Sequence, residues 1–268
     1  MARLRAPRVG LWDQYGGSIP AGWTRWILEQ FAFPFERVFA PALDAGNLNA
    51  KYDALVFVDG AIPAPASAGV TGSNRRGGAA TDEAIPDLPA EYRDQVGRVT
   101  RERTLPKLRE FVEQGGTVIA IGSSATNLAA YLQLPIESQL TENGAPLPRT
   151  KFYVPGSVLR AHVDTTSAVA FGMPSDVDVF FDDSPVFRLR PDAAAKGVRP
   201  VAWFDSKTPL RSGWAWGQEA LEHGVVAIDA PLGKGHVLLF GPEILQRAQP
   251  HGTFKFLFDA LYAAATPR

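Results

Sequence analysis

Apolar residues fall into two kinds of pattern along the first half of the chain. Residues 8–11 form a short apolar run that ends in the turn-rich Trp12-Asp13-Gln14-Tyr15-Gly16-Gly17, which reads as a buried strand and its following loop. Over 22–31, Trp23, Trp26, Ile27 and Phe31 recur at helical spacing, with Arg25 and Glu29 four apart on the other side. A brief strand at 37–39 and a continuous apolar strand at 54–58, closed by Asp59-Gly60, follow. Strand, helix, strand, strand is the opening of a doubly wound sheet.

Residues 61–88 carry Ala, Gly, Pro and Ser with no period of either kind. This stretch, which includes Arg75-Arg76, predicts a mobile, protease-sensitive surface loop. A helix over 96–114, interrupted by Pro106, leads into Thr117-Val-Ile-Ala-Ile121, the clearest strand in the sequence. The small-residue turn after it, Gly122-Ser123-Ser124, opens a helix with Leu128 and Leu132 on one side. After Pro135 the texture becomes short alternating segments at 152–154, 158–163, 177–181 and 201–204, a β-rich excursion spanning 135–204. Residues 225–229 and 236–240, joined through Pro231-Leu-Gly-Lys-Gly235, predict a hairpin that extends the main sheet. Phe254, Leu257, Phe258 and Leu261 predict a closing amphipathic helix over 252–265.

Composition narrows the class. A chain of 268 residues with 46% hydrophobic and 21% charged residues is globular and fits either one large domain or two small ones, and the pattern above reads as one. A net charge of -1, with both signs mixed along the chain, gives no field to gather nucleic acid or anionic lipid, so neither is an expected partner. With no cysteine there is no thiolate metal site and no thiol nucleophile. The arginine-rich residues 1–8 precede a run too short for a signal core or a membrane span, and the compartment stays open.

Five blocks carry a family resemblance: GWTRWILEQFAFPF (22–35), EYRDQVGRVT (91–100), GGTVIAIGSS (115–124), PGSVLR (155–160) and RAQPHGTFK (247–255). In this order they resemble the C-terminal region of bacterial zinc-carboxypeptidase-like proteins, a region similar to class I glutamine amidotransferase domains. The resemblance implies a flavodoxin-like, doubly wound, mostly parallel sheet with helices on both faces, and an accessory or ligand-binding module. It is compatible with an exported parent, and the implied partners are a zinc-peptidase domain or a small-molecule or peptide ligand.

Neither catalytic set accompanies that resemblance. His162, His223, His236 and His251 are the histidines, and none has Glu three residues on, so the zinc site of such a peptidase is not encoded and no metal or other cofactor is expected. Against the amidotransferase pattern Gly-x-Cys-x-Gly, Ser124 takes the nucleophile position. Against the later His-x-Glu, Gly241-Pro242-Glu243 keeps only the acid. Two uses of Ser124 stay open: a helix cap, or the nucleophile of a serine esterase or amidase with His251 as base and Asp59 or Glu243 as orienter. His251 reads equally as part of a helix entrance. A ligand is expected at the edge that carries Trp12, Asp13, Tyr15, Asp59, Ser123 and Ser124, where parallel strands end. Trp12 serves there either as a wall of the site or as a roof of the core, while Trp203, Trp214 and Trp216 read as packing residues.

Overall fold

In a computed structural model the described residues are 5–65 and 88–266. Four parallel pairings define the centre of one large mixed sheet. β1 (Val9–Trp12) lies between β2 (Phe35–Val38) and β3 (Ala54–Phe57), β3 pairs with β4 (Thr117–Ile121), and β4 pairs with a late strand, Gly235–Phe240. Numbered among themselves, these five strands run 2-1-3-4-5, the order of flavodoxin-like sheets. β3 and β4 are buried at every position, as expected of strands covered on both faces. In a sheet of this order, the right-handed crossover rule puts connections that leave in opposite directions on opposite faces.

Helix α1 (Ile19–Gln30) starts at Ser18, whose side chain accepts from the Ala21 amide, with Pro20 in the first turn where no donor is missed. Its buried face is Ala21, Thr24, Ile27 and Leu28, whereas Trp23 and Trp26 are 37% and 45% exposed. Of the expected stripe, Ile27 is buried, while the aromatics Trp23, Trp26 and Phe31 turn outward. Short helices α2 (Ala40–Asp44) and α3 (Leu48–Lys51) follow, and both pack on α4 (Thr104–Glu113). Pro106 opens α4 rather than interrupting a longer helix, since first-turn amides have no intrahelical acceptor. Residues 90–95 form a separate 3₁₀ turn. The predicted loop falls mostly outside the described residues, as do Arg75 and Arg76. Its first residues, Ala61 and Ile62, are buried.

α5 (Ser123–Leu132) buries Leu128 and Leu132 as its periodicity predicts. The chain then passes through β5 (Ile136–Ser138) and the small hairpin β6 (Thr141–Glu142) and β7 (Ala145–Pro146). Next come β8 (Ser157–Val163), β9 (Asp176–Phe181), β10 (Phe187–Leu189), β11 (Arg199–Trp203) and β12 (Leu210–Ser212). The expected strand at 152–154 is reduced to one bridge, between Tyr153 and Trp216. β13 (Val225–Leu232) and β14 (Gly235–Phe240) form the predicted hairpin, and β14 is the fifth parallel strand. Through β13 the excursion joins the same sheet antiparallel: β11 and β10 pair with β13, β8 with β11, and β9 and β12 with β8. α6 (Phe254–Ala265) closes the chain beside α1, with Phe31 and Phe33 at 4.8 and 4.9 Å from the Phe258 ring. No helix among the described residues is long and apolar enough to cross a membrane.

Candidate functional site

Because β1, β3, β4 and β14 are parallel, the segments that follow them emerge at one edge, carrying Asp13, Asp59, Ser123 and Glu243 respectively. The sharpest of these exits is Gly122, between β4 and α5, with φ 62° and ψ −136°, a conformation reserved almost entirely for glycine. In enzymes with a strand-to-helix nucleophile elbow, the nucleophile itself sits on that turn. Here the turn residue is Gly122, two positions before Ser124. A Cβ at Gly122 would lie 2.4 Å from Asp59 Oδ1 and 2.9 Å from both its Cβ and Cγ.

The Asp59 carboxylate occupies the mouth of α5. Its Oδ1 accepts from the Ser123 amide at 2.7 Å and from Ser123 Oγ at 2.6 Å. An anion at a helix N-terminus satisfies an orphan amide and is favoured by the helix dipole. The first amide that would have received a ligand oxygen is thus filled by the protein's own carboxylate. Ser123 Oγ in turn accepts from the Gly60 amide at 3.0 Å.

Ser124 is fully buried. Its hydroxyl donates to the Val58 carbonyl at 2.6 Å and accepts from the Ile62 amide at 3.0 Å, while Asn127 Nδ2 donates to the Ile62 carbonyl at 2.7 Å. The proton and one lone pair of the Ser124 hydroxyl are engaged by backbone, the opposite of what an attacking oxygen requires. His251 is not joined to this serine. Its ring lies 5.2 Å from the Phe254 ring, and no hydrogen bond or ion pair among the described residues joins it to Ser123, Ser124 or Glu243. Ser124→Ala should therefore cost about 1–2 kcal/mol of stability, read by denaturant unfolding, because two buried backbone groups lose their partner.

The remaining edge residues are also engaged. Trp12 is 6% exposed and belongs to the core, which decides between its two readings. Asp13 is buried, accepts from the Gln14 amide at 2.9 Å and lies 3.6 Å from Arg37 Nη1. Tyr15 packs edge-on against Tyr92 at 6.1 Å. At Glu243, burial, then repulsion from Asp59 and Asp182, pushes the carboxyl up to about 7, against an opposing pull from Arg247. Asp182 and Arg247 carry no sequence signal for this role, because the fold alone brings them near Glu243. Of the tryptophans expected to pack, Trp203 is half-buried, but Trp214 and Trp216 are more than half exposed. Trp216 Nε1 donates to the Thr150 carbonyl at 2.9 Å. Two clefts of about 600 and 620 Å³ lie elsewhere, and neither is lined by Asp59, Ser123, Ser124 or Glu243.

Solved structures share the fold. A putative GMP synthase protein from Thermoplasma acidophilum superposes with TM-score 0.52 at 10% identity, covering 97% of this chain and 96% of that one. A putative ThuA-like protein from Bacteroides uniformis gives TM-score 0.50 at 9% identity, with 97% and 92% covered. A β-galactosidase from Bacillus circulans sp. alkalophilus gives 0.53 at 10% identity over 97% of this chain, which spans only 31% of that enzyme. The fold is shared. No protein-family model and no curated protein matches the sequence. At these identities the likeness establishes a mixed α/β fold with a parallel core and extra strands, and nothing about chemistry.

Proposed function

We propose that this chain is a noncatalytic accessory domain of the glutamine-amidotransferase-like kind, associated with a zinc-carboxypeptidase-like protein. The observation that carries the reading is the turn at Gly122, which bears no side chain and is capped by Asp59. The space of a nucleophile and the first amide of a potential oxyanion hole are both taken by one structural carboxylate. The fold shared with a putative GMP synthase protein supports the amidotransferase-like part. The association rests on the five sequence blocks.

A partner-docking role for this domain is favoured by the α1 surface, where Trp23, Trp26 and Phe31 are 37%, 45% and 54% exposed, with Tyr262 of α6 at 41%. Exposed aromatics gathered on one face are typical of protein contacts. The purified chain should hydrolyse neither glutamine nor activated esters above the buffer rate, and Ser123→Ala and Ser124→Ala should leave that background unchanged. It should co-purify with a separately produced zinc-peptidase domain of the resembling family, and Trp26→Glu should weaken that capture. Ester hydrolysis abolished by Ser124→Ala would replace this reading with the serine hydrolase. Failure of capture by the intact chain would remove the peptidase association.

A further inference from the structure

Far from the Gly122 turn in sequence, three side chains with metal-ligating atoms meet on the outer face of the antiparallel half. His162 on β8 and Asp176 on β9 are register partners, and on its other side His162 pairs with Trp203 of β11, two residues before Asp205. One ligand atom from each of His162, Asp176 and Asp205 lies within 4.8 Å of the others. Bonds of about 2.0–2.2 Å to a single ion hold two ligand atoms at most about 4.4 Å apart, so a small side-chain adjustment closes the set.

The charges around this triad are unbalanced. Of the arginines nearby, Arg160 and Arg211 both lie against Asp178, at 3.4 and 3.7 Å, and Arg199 acts on Asp164, which also feels His162. Asp176 has only a long contact with His162, at 3.9 Å, and a hydrogen bond from Ser175 at 3.3 Å. Asp205 has no hydrogen bond or ion pair among the described residues. The Trp203 ring packs 4.8 Å from that of His162, beside the two carboxylates. Two carboxylates without a cation, facing a positioned imidazole, form a donor set for a divalent ion. Imidazole favours zinc, cobalt or nickel over magnesium or calcium.

We propose that His162, Asp176 and Asp205 form an exchangeable site for a divalent transition-metal ion, with coordination positions open to solvent. Sequence spacing carries no trace of it, because the ligands come from two neighbouring strands and the exit of a third. Asp176 also walls the 620 Å³ cleft that Arg160, Phe180 and His251 line, so the ion sits at the rim of that cleft. The site is independent of the docking reading above.

The test uses the full chain, freed of metal by chelator and dialysed, titrated with zinc by calorimetry and with cobalt by visible absorption. Wild type and Asp178→Asn should bind one ion with a cobalt spectrum, and His162→Ala and Asp205→Asn should each weaken binding by more than about tenfold. Magnesium and calcium should compete poorly. Asp205→Asn alters an exposed side chain outside the core, so it keeps the test decisive if His162→Ala, which also loses the Trp203 contact, unfolds. The absence of saturable one-to-one binding would overturn the site. So would variants that bind like wild type, or calcium binding as tightly as zinc.

Discussion

Gly122→Ala is expected to destabilise the chain by about 3 kcal/mol in denaturant unfolding, the largest loss expected of any single substitution at the candidate site. Two physical terms add. Alanine resists φ 62° and ψ −136°, and its Cβ would be driven into the Asp59 carboxylate at 2.4 Å. The second term depends on Asp59, so the effects of Gly122→Ala and Asp59→Ala should not sum. The double variant should be more stable than the sum of the single losses predicts, by about 1 kcal/mol or more. Strict additivity would mean that the carboxylate does not fill the turn, and would reopen the space for a catalytic side chain or a ligand.

Glu243→Gln is expected to do the reverse and stabilise the protein, but only above mildly acidic pH. The native carboxyl binds its proton up to about 7, while the unfolded chain releases it near the ordinary 4.5. Between those values the native state holds more protons than the unfolded state, so stability falls as pH rises through the window and stays lowered above it. Glutamine keeps the neutral shape throughout. At pH 8 the variant should gain on the order of 2 kcal/mol over wild type, and at pH 4 the two should unfold together. Equal stability at pH 8, or a loss, would mean that attraction from Arg247 outweighs burial and the repulsion from Asp59 and Asp182.

The inner strands of the parallel core were legible because they are apolar on both faces and short enough to exclude buried helices, as Thr117-Val-Ile-Ala-Ile121 illustrates. The β13–β14 hairpin was legible from its turn residues. Helix α1 was legible as a helix but not in its orientation, since Trp23/Trp26 and Ala21/Thr24 follow the same period and only tertiary packing chooses between them. The hairpin β6–β7 carries the strong Asn-Gly turn signal, with φ 53° at Asn143 and 78° at Gly144, but its two-residue strands are too short to show any alternation. At the candidate site, sequence order correctly brings Asp13, Asp59, Ser123 and Glu243 to strand ends. What those groups do there was not legible. Asp59 capping a helix 64 positions away, and Ser124 stitching the Val58–Ile62 segment to α5, are long-range bonds that no local pattern encodes.

A sheet of this width leaves strands with one unpaired side at its margins, and two of them, β2 and β9, are chemically blunted. β2 is four residues long and exposes Glu36 and Arg37, while β9 exposes Asp176 and Asp178 and runs into Asp182 and Asp183. Neighbouring molecules meeting edge to edge would have to bury those charges against one another before gaining any ladder hydrogen bond. The charges at these two margins thus act against uncontrolled strand addition and fibrillar self-association there.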